Sequence, residues 1–324
     1  MNNYIVLDLE WNQGAGAPSG DGLTFEVVEI GAVKLNENLE IIGDFHGLIR
    51  PVVHPVIHFK IREMTKITEA ELASGRTFAE VCGEFLDWCG KDPVFCTWGP
   101  MDLEELQNNM DYFGMENLFP KPFYYYDLQK LYGLTTGSPK DRLSLDSVVS
   151  ALGLEMDGVF HRAPDDARYT ARVMQAMGFD RVRQFVSVDY HRPPTSRKEE
   201  IYKDFGTYSK FVSQIYETKE DAMEDRKLTC TVCYQCGRTL RKKIRWFSSN
   251  SKIYFCLAIC PDHGYLKGKI RIKKAPDGKV FAVKTLKLVG EEGADSIRIK
   301  QEELRKRRAA KRRQKSQGKA GDAR

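Results

Sequence analysis

Long apolar runs are absent from this sequence of 324 residues. No stretch approaches the roughly 18 apolar residues that a membrane-spanning helix needs. The first ten residues show neither a basic segment ahead of an apolar one nor a small-residue cleavage site, so nothing there predicts a secretory signal peptide. Internal repeats are absent as well. We therefore expect a cytoplasmic protein with no membrane partner.

Acidic side chains are scarce in the carboxy-terminal third. Residues 230–290 hold 14 Lys and Arg but only 2 Asp and Glu, and residues 296–324 hold 12 and 3. Residues 1–229 show the opposite balance, with 24 basic and 37 acidic side chains. An acidic front joined to a basic back predicts that a polyanion is held by the carboxy-terminal third.

The remaining composition is that of an ordinary globular protein, with 42% hydrophobic and 29% charged residues. Such values exclude wholesale disorder and a disulfide mini-scaffold. The length suggests about two domains. Strands are predicted at 4–9, 25–35, 41–49, 93–98 and 123–127, and helices at 77–89, 101–113, 144–152 and 165–177.

This order of elements predicts a layered α/β domain over residues 1–185. A polar stretch with Pro193 and Pro194 predicts a linker with some helix at 186–227. Short β-like runs predict a small β-rich module at 228–290. Residues 291–324 form a basic tail, for which we expect a disordered or helical arm with nonspecific affinity for polyanions.

Two carboxylates lie two residues apart on the first predicted strand. Because side chains alternate along a strand, Asp8 and Glu10 project from the same face. Two adjacent carboxylates repel one another unless a cation lies between them. Surface strands often carry such pairs. The apolar residues Ile5, Val6 and Leu7, however, predict a core strand, where a pair of acids is less common without a function.

Three further polar residues lie at predicted element ends, namely Asp102, His161 and Asp166. An acid at a helix start also has a purely structural interpretation, because it satisfies free backbone amides. With Asp8 and Glu10, however, the set comprises four carboxylates and one imidazole. It suits two-metal hydrolysis of a phosphodiester, in which acids hold two divalent ions and an imidazole takes a proton from the attacking water.

The order of these residues resembles a known family. Asp8-Leu9-Glu10, then Trp98-Gly99-Pro100-Met101-Asp102, then His161 four residues before Asp165-Asp166-Ala167 are similar to the motifs of DnaQ-like 3′→5′ exonucleases of the DEDDh type. The forms of the last two motifs look closest to the branch of KapD-like proteins and histone-mRNA 3′ exonucleases. The resemblance covers about residues 1–180. It implies an α/β, RNase H-like fold, a mixed sheet with flanking helices.

The resemblance also implies a role for each residue. Asp8 would contact both of two Mg²⁺ or Mn²⁺ ions, and Glu10 and Asp166 would complete the hydrolytic metal site. Asp102 would serve the second metal, and His161 would be the general base.

Contacts to the terminal nucleoside are implied for Trp11, Asn12, Met64 and Ile67. The segment from Met64 to Thr68 is similar to the Leu-Thr-Gly-Ile-Thr segment of the family. Lys66 stands in place of the usual glycine, and Asn12 stands where the first motif often has Thr.

Cysteine spacing predicts a metal site in the β-rich module. Cys233 and Cys236 form one half-site and Cys260 and His263 form a second, each followed by a glycine that permits a tight turn. The pattern predicts one structural Zn²⁺ in a module resembling a zinc ribbon. Two further cysteines, Cys230 and Cys256, are candidates to replace a ligand, and free thiols in a core are the alternative.

Basic residues interleaved with aromatics surround these half-sites, a pattern that suits phosphate contact and base stacking. They are Arg238, Arg241, Lys242, Lys243, Arg245, Trp246, Phe247, Lys267, Lys269, Arg271, Lys273 and Lys274. A solvated charged face is the alternative, but it explains poorly why the module holds so few acids.

The sequence therefore predicts a metal-dependent 3′→5′ exonuclease that shortens single-stranded nucleic acid and releases nucleoside 5′-monophosphates. RNA is favoured over DNA by the resemblance alone. A DNA-processing or proofreading-type exonuclease is the first alternative. An RNA- or ribosome-binding protein with a passive nuclease scaffold is the second, with a ribosome or RNA–protein complex as its candidate partner, and the complete acid set argues against it.

Overall fold

A computed structural model describes residues 3–14, 22–138, 141–275 and 277–321, with side chains described up to residue 310. The chain divides into two units, Met1–His191 and Arg192–Arg324. Among the described helices, none combines the length and apolarity needed to cross a membrane.

One mixed sheet runs through the first unit. Its strands are β1 (Tyr4–Gln13), β2 (Phe25–Leu35), β3 (Ile41–Leu48), β4 (Val94–Thr97), β5 (Tyr124–Asp127) and β6 (Ser187–Val188). The order across the sheet is β3-β2-β1-β4-β5-β6. Strands β1 to β3 pair antiparallel, β4 lies parallel to both β1 and β5, and β6 pairs antiparallel with β5.

Helices cover both faces of this sheet. They are α1 (Phe59–Thr65), α2 (Glu69–Ser74), α3 (Phe78–Cys89), α4 (Met101–Tyr112), α5 (Leu128–Thr135), α6 (Leu145–Ala151) and α7 (Ala163–Ala176). Side-chain alternation along β1 divides the core, with Ile5 and Leu7 packing against α3 and α4. Tyr4 and Val6 pack on the other side with α5, α6 and α7. Asp8 and Glu10 share that second side, which is the side of α7.

Helix α7 comes closest to the sheet at Gly31 on β2. A Cβ atom at this position would lie 2.0 Å from the backbone carbon of Ala163 and 2.2 Å from the nitrogen of Pro164, so only glycine fits. The fully buried Glu29, two residues earlier, accepts hydrogen bonds from the Arg162 guanidinium (2.7 Å) and the Ala163 N–H (3.0 Å). These contacts fix the first turn of α7 against the strand that pairs with β1.

A second sheet forms the body of the other unit. Its strands are β7 (Ile201–Asp204), β8 (Ser209–Val212), β9 (Lys242–Ser248), β10 (Ile253–Cys260), β11 (Gly264–Lys274) and β12 (Val280–Val289). They pair antiparallel in the order β7-β8-β12-β11-β10-β9. The helices of this unit are α8 (Lys219–Glu224), α9 (Arg226–Thr229) and α10 (Glu291–Gly321).

The segment predicted as a linker with some helix, 186–227, contains the helix as α8 and α9 but also two paired strands. Strand β8 pairs with β12, and β7 pairs with β8, so most of the segment belongs to the second unit. Both strands are only four residues long, which is too short for an alternating pattern to stand out from polar sequence. The boundary between the units falls at His191, just before the Arg192-Pro193-Pro194 stretch.

The basic tail forms α10 as far as Gly321, which agrees with the helical form of the prediction. The first turns of α10 make a small apolar contact with the second sheet. Ala294 and Ile297 are buried against Phe255 and Leu257 of β10.

Substituting Gly31 tests the close approach of α7. We expect Gly31→Ala to lower the free energy of unfolding of the first unit by about 1–3 kcal/mol, because an added methyl group overpacks a rigid backbone contact. Gly83→Ala is the matched control, because a Cβ atom there meets nothing within 4 Å inside α3. The control should stabilise by about 0.5–1 kcal/mol through helix propensity. Thermal and urea unfolding measure both, and equal effects would contradict the close approach.

Candidate active site

The structure brings the four predicted carboxylates together. Asp8 and Glu10 project from β1, while Asp102 and Asp166 lie in the first turns of α4 and α7. The backbone N–H of Leu9 donates a hydrogen bond to Asp102 Oδ1 (3.2 Å), which ties the start of α4 to β1. The site thus gathers acids from three separate elements.

His161 joins the same group. One carboxylate oxygen each of Glu10 and Asp166 and one ring nitrogen of His161 lie within 4.8 Å of one another. The imidazole residue is exposed, and its backbone has a φ of 65°, a left-handed conformation that non-glycine residues adopt rarely and often at functional sites. The backbone N–H of His161 donates to Asp166 Oδ2 (3.0 Å).

Burial and mutual repulsion disfavour the ionised forms of these acids. Burial, followed by the charges of Asp102, Asp166 and Glu10, raises the pKa of Asp8 well above its usual value. Burial and then the charge of Asp166 raise the pKa of Glu10 to about 8. Burial is also the largest cause that raises the pKa of Asp102 and of Asp166 to about 7. A divalent cation among these groups would relieve both effects.

Asp166 supplies a direct test of whether a metal fits. Its Oδ1 atom is buried and has no hydrogen-bond partner in the described structure, although its Oδ2 atom accepts from His161. A buried oxygen without a partner is unfavourable unless something else binds it. Carboxylate oxygens are the donors that Mg²⁺ and Mn²⁺ prefer, so the residues present fit these ions.

Asn12 does not have the role predicted for it. The residue is fully buried, and its amide donates to the backbone oxygens of His54 (2.8 Å) and Val56 (3.0 Å). Its Oδ1 atom accepts from the backbone N–H of His58 (2.9 Å). All of these bonds brace the segment before α1, so the structure corrects the predicted nucleoside contact to a positioning role.

Ile67 is likewise fully buried, packed with Val28, Ile57 and Leu72, so its predicted nucleoside contact is also corrected. An apolar residue in a motif gives no sign, from sequence alone, of which side it faces. Met64, which is 48% exposed, and the half-buried Trp11 keep surface that a ligand can reach.

The backbone conformation of Lys66 explains why glycine is usual at this position. It ends α1 with a φ of 58°, and its N–H donates to the carbonyl oxygen of Arg62. This left-handed helix end favours glycine.

The sequence reasoning missed Glu29, Gly31 and Arg162, which position α7. The available signal was an acid and a glycine two residues apart in the apolar middle of the strand Phe25 to Leu35, flanked by Val27, Val28, Ala32 and Val33. A charge in such a strand needs a buried partner, here Arg162.

A second cluster lies in the other unit. The ligand atoms of Cys233, Cys236, Cys260 and His263 all lie within 4.8 Å of one another. Cys236 Sγ is 3.7 Å from Cys260 Sγ, and His263 Nδ1 is 3.6 Å from Cys233 Sγ and 3.5 Å from Cys260 Sγ. A tetrahedral zinc ion with bonds of about 2.0–2.3 Å separates its ligand atoms by about 3.5–3.8 Å. The four residues therefore fit zinc.

Two tight turns build this cluster. Gly237 has a φ of 70° and donates its N–H to Cys233, while Gly264 has a φ of 83° and begins β11 directly after the second turn. Both turns need the left-handed conformation for which the glycines were singled out. Cys230 and Cys256 do not belong to the cluster that the described residues form.

Comparison with known proteins agrees with the first site. The sequence profile of the RNase T family, described as an exonuclease family, matches residues 5–174. That range is more than half of the chain and contains the four acids and His161. The chain belongs to the RNase T exonuclease family. Its first unit is a DnaQ-like nuclease domain.

Three relatives of this chain differ in size. A PolC-type DNA polymerase III from Clostridium perfringens is 28% identical over 54% of this chain and 11% of its own length. A probable 3′-5′ exonuclease, KapD, from Bacillus subtilis is 25% identical over 60% of this chain and 91% of its own length. Human ERI1 exoribonuclease 3 is 30% identical over 54% of this chain and 53% of its own length. The chain thus spans only part of the first and third relatives.

A solved structure shows the same fold. The nuclease domain of 3′hExo, a DEDDh family member bound to rAMP, has a TM-score of 0.50 and 23% identity with this chain. The match covers 58% of this chain and 96% of that domain. The likeness confirms the predicted RNase H-like arrangement of a mixed sheet with flanking helices.

The raised carboxyl pKa values predict how stability depends on pH. The folded-state values exceed the unfolded value of about 4, so the metal-free folded chain binds more protons than the unfolded chain between about pH 4 and 8. Stability must therefore fall as pH rises through this range. We expect Tm without divalent ions to drop between pH 5.5 and pH 8, by about 2–4 °C per kcal/mol lost.

Adding Mg²⁺ at pH 8 should recover most of that drop, and Asp8→Asn should make it smaller in the metal-free protein. Calorimetry at both pH values, with and without Mg²⁺, measures the effect. A metal-free Tm that does not fall, or a fall that Mg²⁺ leaves unchanged, would contradict the charge assignment.

Proposed function

We propose that this chain is a divalent-metal-dependent 3′→5′ exonuclease that removes nucleotides from the 3′ end of single-stranded nucleic acid and releases nucleoside 5′-monophosphates. The observation that carries the proposal is a group of four mutually repelling carboxylates, two of which lie beside the His161 imidazole, within the range that matches the exonuclease family. The raised carboxyl pKa values support it, because such shifts are concentrated at functional sites.

Each site residue has a role in this proposal. Asp8, Glu10, Asp102 and Asp166 would hold the two Mg²⁺ or Mn²⁺ ions. Bound ions supply charge neutralisation at the scissile phosphate and make water a stronger acid. The His161 imidazole takes the proton of the attacking water, for which its exposure and its closeness to Glu10 and Asp166 suit it.

RNA is the substrate that we favour. ERI1 exoribonuclease 3 is the most identical of the three relatives described above, and its name states an action on RNA. Trp11 and Met64 have the exposed surface to contact the terminal nucleoside.

A DNA-processing exonuclease is the second candidate, which the similarity to a PolC-type DNA polymerase favours. Comparing hydrolysis of 5′-labelled RNA and DNA of one sequence separates the two. Faster hydrolysis of the DNA would overturn the RNA assignment.

The second unit holds the strand in this proposal. Residues 192–324 carry 34 basic and 16 acidic side chains, whereas residues 1–191 carry 16 and 29. The four-residue cluster at Cys233 would bind one structural Zn²⁺, with no open position for water. A ribosomal or RNA–protein partner for this unit stays a prediction.

Two substitutions test the catalytic assignments. Asp102→Asn keeps the shape of the side chain but removes a charged metal ligand, so turnover should fall by about 10³-fold or more. His161→Ala should slow hydrolysis by about 10²–10⁴-fold, the usual contribution of a positioned base. Single-turnover hydrolysis of 5′-labelled RNA in Mg²⁺ measures both.

Glu104→Gln is the matched control for Asp102, because it removes an exposed acid from the same helical turn. RNA affinity measured in Ca²⁺ should barely change in His161→Ala. Normal turnover in Asp102→Asn would contradict the metal assignment. A loss of affinity with an unchanged single-turnover rate would show that His161 binds rather than catalyses.

Zinc content tests the cysteine cluster. We expect one zinc ion per chain, and we expect Cys236→Ser to lose it and to unfold the second unit, because structural zinc supplies folding free energy. Cys230→Ser lies outside the cluster and should keep the metal. Elemental analysis and thermal unfolding measure this, with hydrolysis of a dinucleotide reporting on the first unit. Wild-type protein without zinc would refute the site.

A further inference from the structure

Side-chain alternation gives the second sheet two different faces. On β11, Leu266, Ile270 and Ile272 are buried, and the last two pack with α8 and α9 through Ala222 and Leu228. The residues between them on β11 therefore point to the opposite face. They are Lys267, Lys269, Arg271 and Lys273.

The strand register extends this opposite face across the whole sheet. Directly paired residues share a face, and the pairs form one continuous row. From β7 to β9 it reads Lys203, Lys210, Thr285, Lys269, Phe255 and Phe247. In the neighbouring row, Lys267 pairs with Lys287. We call this surface the basic face, and its cations are Lys203, Lys210, Lys267, Lys269, Arg271, Lys273 and Lys287.

Acids are absent from the basic face among the paired strand residues that the structure describes. The one acid in β7, Asp204, follows Lys203 and so lies on the other side. A merely solvated surface would mix charges of both signs. The segregation of charge by face is what the linear sequence could not show.

Helix α10 adds a further cation to this face. It packs across β11 and β10, where Ala294 and Ile297 are buried, and reaches β9, where Arg308 donates to the carbonyl oxygen of Ser248 (2.8 Å). Between these points the Lys300 ammonium lies 4.7 Å from the centre of the Phe255 ring. The Lys267 ammonium lies 5.9 Å from the centre of the same ring.

Like charges therefore converge beside Lys269. Burial, followed by the charges of Arg271, Lys267 and Lys300, lowers the pKa of Lys269. An anion bound among these groups would relieve their repulsion. Because the cations recur at every second residue of β11, about 7 Å apart, and again on the neighbouring strands, the array suits a repeating polyanion better than one small anion.

Trp246 and Lys242 do not belong to this surface, although both carry the basic-aromatic pattern in the sequence. The Trp246 indole N–H donates to the carbonyl oxygen of Thr229 (2.7 Å), and its ring packs in the core cluster with Ile270 on the opposite face. Lys242 pairs with Ala258, whose side chain is buried beside the cysteine cluster.

We propose that the basic face binds the phosphate backbone of a single strand of nucleic acid, with Lys267, Lys269, Arg271 and Lys300 contacting successive phosphates. The inference rests on the proposed function, since the strand is the substrate of the exonuclease. It adds the surface and the residues that hold the strand.

The test compares two pairs of substitutions in the full chain. Lys269→Gln/Arg271→Gln removes two charges from the basic face. Lys198→Gln/Lys219→Gln removes two solvent-accessible lysines that lie outside the basic face, and Lys219 is the first residue of α8, which covers the opposite face. The probe is a labelled single-stranded RNA oligonucleotide bound in Ca²⁺ over a range of salt concentrations. Thermal unfolding checks that every variant is folded. If Lys269→Gln/Arg271→Gln is not folded, the single substitution Arg271→Gln replaces it.

We expect the first pair to weaken RNA binding by roughly tenfold or more and to reduce the log–log salt slope by about 1.4, since each phosphate contact contributes about 0.7. The second pair should change neither. An equal effect of both pairs, or an unchanged slope in the first, would overturn the proposal. A further result would also overturn it. If the wild type binds polyglutamate as tightly as RNA, and Lys269→Gln/Arg271→Gln weakens that binding, the partner is an acidic protein.

Hydrolysis of a dinucleotide by the same proteins keeps the two proposals separate. Normal hydrolysis together with an unchanged salt slope overturns the basic face alone. A reduced slope without hydrolysis by the wild type in Mg²⁺ or Mn²⁺ supports the basic face and overturns the nuclease assignment.

Discussion

Repulsion among four carboxylates is the constraint on which the first unit depends. Glu10 and Glu29 are partners in the β1–β2 register, and their different surroundings show how the fold compensates one buried carboxylate and not the other. Burial opposes ionisation of Glu29, but hydrogen bonds from His46, Arg162 and Ala163 outweigh burial and lower its pKa. Glu10 lacks comparable compensation, and its pKa rises to about 8. The charge of Glu29 is therefore compensated by groups of the chain itself, whereas the charge of Glu10 needs a bound cation.

The same pair of strands also explains the geometry of the site. Glu29 and Gly31 hold the start of α7 on β2, and this brings His161 and Asp166 to the edge where β1 presents Asp8 and Glu10. The second unit uses softer ligands for a different purpose. Three thiols and one imidazole match zinc, while the oxygen-rich first site matches Mg²⁺ or Mn²⁺, so the two metals need not compete.

Sequence patterns predicted the long elements of the first unit and the residues of both clusters, because periodicity and spacing are local properties. These patterns failed where the structure of a segment depends on contacts with residues that are distant in the sequence. The strands β7 and β8 are recognised only through their pairing with one another and the pairing of β8 with β12. Asn12 and Ile67 sit in motif positions, yet the loop and core around them turn both side chains inward. The division of the basic residues into two faces likewise needed the strand register.

The most direct test of the account is a calorimetric titration of the zinc-loaded protein with Mn²⁺ near pH 7, in buffers of different ionisation enthalpy. The raised pKa values of Glu10 and Asp102 mean that these groups hold protons before the metal binds. The account predicts two Mn²⁺ ions per chain and release of protons on binding, both diminished in Asp102→Asn. Saturation without proton release, or no binding at this site, would contradict it.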